Sequence, residues 1–165
     1  MLVEPVRLCH DAAMSDDLPI NDAVMLHFDW EEVDGETIQS VMGQPGYYEG
    51  GAGVFWWRLA IVLSNGAIMI SVNGDTDEIL VTRWHGSLPI GEAPLDLPWI
   101  EVASLSELMG RELGWSWIGR NSQGYLDAFT IGSGGIVPSE AIDPSYMFVG
   151  IGSNVQIRKI TLVSG

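Results

Sequence analysis

The dipeptide Asn65-Gly66 is the sequence feature that most restricts the fold. It separates two runs rich in β-branched, aromatic and other apolar residues, 55–63 and 67–72. Asn-Gly between such runs favours the two-residue turn of a β-hairpin. A second turn signal at 73–77 leads into a third run, 78–84, and consecutive strands of this kind are most simply antiparallel neighbours. The sequence therefore predicts a three-stranded antiparallel meander in this part of the chain.

Further strand-like runs lie on both sides of this meander. Residues 24–30 and 36–42 flank the turn signal Asp34-Gly35 and predict a hairpin, and four more runs follow at 115–120, 125–131, 147–149 and 155–163. The one helix signal is Ser104-Leu-Ser-Glu107, which has the form of a capping box and begins an apolar stripe over 104–113. About nine short strands and one helix predict an α+β fold, mostly antiparallel sheet, with the helix packed on it.

Length and charge limit the function classes. At 165 residues the chain is expected to form a single domain, 1–165, whose acidic segment 1–22 is its least certain part. With 22 acidic residues against 7 Lys and Arg, the net charge is −15, which argues against nucleic acid and anionic membranes as partners. The single cysteine, Cys9, cannot form an intramolecular disulfide, so we predict a cytoplasmic protein.

The acidic residues are concentrated at the start of the chain. Residues 1–50 hold 11 of them and one arginine. This cluster is either a solvated face or a surface that attracts a basic protein. In the second case four carboxylates would steer the partner and two aromatic rings would anchor it; these are Asp29, Glu31, Glu32, Asp34, Tyr47 and Tyr48. The first hypothesis is thus a non-enzymatic protein-binding domain, itself a monomer or homodimer.

Aromatic residues support an alternative. Trp115 and Trp117 alternate along one strand, and Tyr125 and Asp127 do so along the next, so each pair shares a sheet face. These side chains either fill the core or line an exposed cleft with an acidic group. In the second case the protein would be a small-ligand or carbohydrate-binding module, and a hydrolase activity is then conceivable.

Motifs for cofactors, metals and catalysis are missing from the sequence. Gly50-Gly51-Ala52-Gly53 lacks the spacing of a dinucleotide-binding loop, and no C-x-x-C, H-E-x-x-H or G-x-S-x-G occurs. Asn73 to Glu78 holds three carboxylates but not the order of a calcium loop, so we expect a polar turn whose Asp side chains accept hydrogen bonds from backbone amides. We therefore predict no cofactor and no metal, and favour a protein that is not an enzyme.

Two short motifs carry a resemblance. Asn73-Gly-Asp-Thr-Asp-Glu-Ile79 and Trp117-x-x-x-Asn121-x-Gln-Gly-Tyr-x-Asp127, followed by Pro138 and Phe148-Val-Gly-Ile-Gly-Ser153, resemble a bacterial family of small proteins with a domain of unknown function. The similarity covers 55–163 and implies no catalytic or binding residues. In size and charge the chain is also similar to the acidic immunity proteins of toxin systems.

Overall fold

The computed structural model describes residues 26–46, 55–89, 97–134 and 144–161. These residues form nine strands and two short 3₁₀ helices, which we call η1 and η2. In chain order the elements are η1 (Trp30–Glu32), β1 (Ser40–Pro45), β2 (Phe55–Leu63), β3 (Gly66–Val72), β4 (Ile79–Trp84), β5 (Ile100–Glu101), η2 (Ala103–Leu108), β6 (Leu113–Arg120), β7 (Leu126–Ser133), β8 (Pro144–Ile151) and β9 (Asn154–Lys159).

All nine strands belong to one antiparallel sheet. The order β4-β3-β2-β9-β8-β7-β6 forms the main path, while β1 pairs with β2 and β5 pairs with β1. Hydrogen bonds also join the start of β6 to the segment that precedes β1. Leu113 N donates to Glu36 O (2.9 Å), and Gly110 N donates to Ile38 O (2.8 Å). The beginning of β6 is therefore joined to the segment that leads into β1, and the sheet curls around one main core.

The predicted meander is confirmed. In β2 and β3, Leu63 pairs with Gly66 across the two-residue turn Ser64-Asn65, so the turn lies one residue earlier than the Asn-Gly signal, and β4 continues antiparallel to β3. Gly66 has φ +119°, and a Cβ at this position would collide with the backbone oxygen of Trp84. Only glycine satisfies both conditions, which explains why this turn signal predicts the structure so well.

The expected hairpin over 24–42 is wrong in its first arm. The described residues at this point make one parallel bridge, Leu26 with Val81, and then turn into η1. Trp30 determines the difference, because its indole N–H donates to Gly114 O (2.8 Å) and its ring packs edge-on against Phe129 (5.8 Å between centroids). These tertiary contacts override the strand propensity of the run.

The α+β class is also corrected, since the described residues contain no α-helix and are mostly β. The predicted helix at 104–113 is the shorter 3₁₀ helix η2, preceded by Val102, which makes no capping hydrogen bond through its side chain. Glu107 does not bond back to Ser104, as a capping box requires, because its carboxylate accepts from Tyr146 and Lys159. Leu105 and Leu108 are both buried, and their three-residue spacing matches the period of a 3₁₀ helix.

Candidate functional site

Three turns meet at one end of the sheet and border a polar cavity that is open to solvent. They are the β3–β4 turn, the β6–β7 turn and the β8–β9 turn, and the cavity between them has a volume of about 470 Å³. Its lining residues are Asp75, Thr76, Asp77, Asn121, Gln123, Tyr125, Asp127, Gly150, Ile151 and Gly152. We call this space the three-turn pocket.

Two cross-turn hydrogen bonds hold the β3–β4 turn in place. Asp77 Oδ1 accepts from Ser153 N (2.9 Å), and Glu78 Oε1 accepts from Leu126 N (3.3 Å). Gly150 permits the close approach, because a Cβ there would lie 2.6 Å from Asp77 O. The expectation that an Asp of this turn accepts from a backbone amide is confirmed, although the amide belongs to another turn.

The β6–β7 turn is fixed by a single asparagine. Asn121 Oδ1 accepts from Gln123 N (2.9 Å) and from Tyr125 N (3.2 Å), while Asn121 N donates to Tyr125 O (3.0 Å). Asparagine is common at such positions because its side chain mimics a backbone acceptor. This wall of the three-turn pocket is therefore ordered before any ligand arrives.

Other lining side chains are free to bind a ligand. Asp75, Gln123, Tyr125 and Asp127 all line the three-turn pocket, and their side-chain polar atoms have no partner among the described residues. Tyr125 is 46% exposed, and Asp127 is half-buried. The pocket thus combines fixed walls with two unpaired carboxylates, a carboxamide and an open phenol ring.

Only two of the four residues predicted to line a ligand cleft lie in the three-turn pocket. Tyr125 and Asp127 line the three-turn pocket, whereas Trp115 and Trp117 lie elsewhere on β6 and are 54% and 36% exposed. Sequence reasoning did not include Asp75, Asn121 and Gln123 in the cleft. Their presence in polar turns was the available signal, but nothing in the sequence indicated that the turns of three different hairpins meet.

The acidic residues predicted to bind a partner are brought together on one turn. Asp29, Glu31, Glu32 and Asp34 surround η1 and are all exposed, and Asp29 caps this helix by accepting from Glu31 N (3.1 Å). The turn is attached firmly, since Trp30 contacts Gly114 and Val33 is fully buried. The predicted anchors Tyr47 and Tyr48, and the acidic segment 1–22, lie outside the described residues.

Two ion pairs lie outside the three-turn pocket, and they involve two of the seven Lys and Arg residues. Arg83 Nη2 bonds Glu36 Oε1 (3.2 Å) and is nearly inaccessible, with a side chain only 6% exposed. Lys159 bonds Glu107 (2.8 Å), and this contact, together with the hydrogen bond from Tyr146, lowers the pKa of the Glu107 carboxyl. The four carboxylates around η1 make no ion pair with any described residue.

The described residues contain neither a cluster of metal-binding side chains nor a helix that could span a membrane. No group of three or more His, Cys, Asp or Glu side chains in the described ranges is arranged to hold a metal ion. Among the same residues, no helix has the length and apolar character needed to cross a membrane.

The fold and the site define a mostly antiparallel β-sheet domain with a polar pocket formed by three of its turns. Comparison with family models then places the chain: it belongs to a family of unknown function, DUF6334, whose model matches residues 22–164. The match extends through the acidic region after residue 22, well beyond the 55–163 expected from sequence, and it gives no support to the likeness to immunity proteins. No curated protein and no solved structure matches the chain.

Proposed function

We propose that this protein binds a small polyhydroxylated ligand, such as a sugar, in the three-turn pocket. The observation that carries the proposal is the meeting of four unpartnered polar side chains, Asp75, Gln123, Tyr125 and Asp127, around one cavity of about 470 Å³. This volume is within the range of small-molecule sites. Composition and charge favoured protein binding, but a concave site with fixed walls is the more specific feature.

The chemistry of the lining narrows the ligand class. Carboxylates accept hydrogen bonds from hydroxyl groups, and a carboxamide such as that of Gln123 both donates and accepts. The exposed face of Tyr125 offers a surface for the C–H groups of a sugar ring. Because Asp75 and Asp127 both carry negative charge in the pocket, a neutral or amine-bearing sugar is favoured over an anionic one.

Ligand-observed NMR with glucose, glucosamine and glucuronate as probes tests this proposal. We expect saturation transfer to glucose or glucosamine and none to glucuronate, and loss of transfer in Tyr125→Ala and Asp127→Asn. Trp115→Ala and Asp34→Asn are matched controls, since they remove an exposed ring and an exposed carboxylate outside the pocket. Absence of transfer to all three probes, or transfer that persists in both pocket variants, contradicts the proposal.

A second function is favoured by the exposed carboxylates around η1, a segment (residues 29–34) that we call the acidic turn. Asp29, Glu31, Glu32 and Asp34 are exposed and unpaired on a turn whose other side is fixed by Trp30 and Val33. A rigid group of like charges of this kind can speed encounter with a basic protein. The predicted cytoplasmic location and the single-domain organisation stay predictions alongside it.

The test of this second function uses a defined cationic protein. Hen lysozyme as a basic probe should bind the native protein at low salt and bind the Glu31→Gln/Glu32→Gln variant at least about threefold more weakly. The variant Asp75→Asn/Glu101→Gln is the matched control, because it removes two exposed carboxylates in the β3–β4 turn and in β5. Equal affinities of the two variants would assign binding to net charge and remove any special role of the acidic turn.

A further inference from the structure

We propose that the outer edge of β6 pairs with the same edge of a second copy of this chain, forming a symmetric dimer. Strand β6 is bonded to β7 on its inner edge. On its outer edge the segment 35–38 covers only residues 110–113. No strand in the described ranges pairs with the outer edge from Trp115 to Arg120, so a row of backbone donors and acceptors is available for strand addition.

The side chains of this edge are unusually apolar for such an acidic protein. Trp115, Trp117 and Ile118 are 54%, 36% and 49% exposed. Trp117 lies opposite Thr130 and Ile118 lies opposite the fully buried Phe129, so successive side chains flank the edge on both faces of the sheet. The segment 115–120 contains no acidic residue, no proline and no lysine, which are residues that usually protect an edge strand. Irregular register against β7, another protective feature, is confined to its two ends, between Leu113 and Ser116 and between Gly119 and Arg120.

Charge complementarity identifies a second copy as the occupant. The acidic turn adjoins the beginning of the edge, because Trp30 of η1 bonds Gly114 O, and Arg120 is at the other end. A two-fold axis reverses the direction of the partner strand. Arg120 of each copy then lies opposite Trp115 and beside Glu31 and Glu32 of the other, where it can contact the indole face and the carboxylates.

Pairing about the middle of the segment also matches the apolar side chains. When residue 115 lies opposite residue 120, Trp117 lies opposite Ile118 of the partner. The acidic surfaces of the two chains do not meet along this line, since the paired segments themselves carry only Arg120. Pairing along this line therefore places no acidic side chain of one segment directly opposite another.

Sedimentation velocity of the full chain over a range of concentrations tests the dimer. We expect a reversible dimer, and at least a tenfold larger dissociation constant in Ile118→Lys and in Arg120→Glu, about 1.4 kcal/mol or more in each case. The matched controls Ile100→Lys and Arg158→Glu introduce the same changes at exposed positions of β5 and β9 and should leave the constant unchanged. Circular dichroism checks that each variant is folded.

A charge swap makes the test specific for the register. Adding Glu31→Lys and Glu32→Lys to Arg120→Glu should restore most of the lost affinity, because the opposite charges face each other again. A native chain that sediments as a monomer throughout overturns the proposal, as does a dimer that Ile118→Lys does not weaken. Failure of the swap to restore affinity overturns the register. Arg120 Nη1 also donates to Gly124 O (3.1 Å) in the β6–β7 turn, so Arg120→Glu removes a contact beside the three-turn pocket. Ile118→Lys alters no residue of the pocket or of that turn, so its outcome separates the dimer from ligand binding.

Discussion

Tyr146 illustrates how one residue links the core to the surface. Its ring is buried, while its hydroxyl group donates to Glu107 Oε1 (2.7 Å) at the surface. Burial of the ring and this hydrogen bond to a carboxylate raise the pKa of Tyr146 to about 12. The folded protein therefore holds this proton at pH values where the unfolded chain releases it. The resulting stabilisation is complete below pH 10 and is lost as the pH rises from 10 towards 12.

The variant Tyr146→Phe should show this dependence directly. At neutral pH we expect its free energy of unfolding to fall by roughly 1 kcal/mol, because the hydrogen bond to Glu107 is lost. The difference from the native protein should shrink as the pH is raised above 10, since the native protein loses the same contribution. Urea denaturation at several pH values measures it, with Tyr125→Phe as a control for the general effect of high pH. A difference that grows with pH would contradict the stated pKa direction.

At the scale of elements, η2 is held in place by its buried leucines and not by a capping box. Ser104→Ala should change the free energy of unfolding by less than about 0.5 kcal/mol, because the Ser104 side chain caps nothing and its backbone oxygen, which accepts from Tyr146, is retained. Leu105→Ala should cost roughly 2–5 kcal/mol, because Leu105 is fully buried. Urea denaturation of both variants decides between the roles, and a large loss in Ser104→Ala would restore the capping box.

The sequence predicted those elements whose local signals agree with their surroundings. The β2–β3 hairpin was predicted because Asn65-Gly66 marks a tight turn locally, with Asn65 in the turn and the positive φ of Gly66 directly after it. Strand β5 has two residues and exists only through its pairing with β1, so no local pattern could indicate it. The predicted cleft shares Tyr125 and Asp127 with the three-turn pocket. Asp75 was not predicted to lie beside them, because the walls of the pocket depend on long-range pairing that local periodicity does not encode.

At the scale of the whole molecule, net charge opposes compactness. The chain carries −15, and the described residues contain only two ion pairs, Arg83 with Glu36 and Lys159 with Glu107. Mutual repulsion among the remaining carboxylates should therefore exceed attraction in the folded state.

Added salt should consequently stabilise the protein. We expect the melting temperature to rise between low ionic strength and about 0.15 M NaCl, where the screening length is about 8 Å. Thermal unfolding followed by circular dichroism measures this effect, at low protein concentration so that dimer formation does not contribute. Sodium chloride and potassium chloride should act alike if screening is the cause. A melting temperature that falls with salt would show that the two ion pairs outweigh the repulsion.

The pairing of β9 with β2 has a consequence for how the chain folds. Phe55 of β2 lies opposite Gln156 of β9, so a strand from early in the chain completes its hydrogen bonding only with the last strand described. The hydrogen bond between Trp30 and Gly114 joins residues 84 positions apart, and it is a second contact between distant parts of the chain. Proteins dominated by such distant pairings fold slowly, in milliseconds to seconds. During synthesis, β2 therefore cannot complete its pairing until β9 has emerged from the ribosome, so folding of the sheet waits for the last strand described.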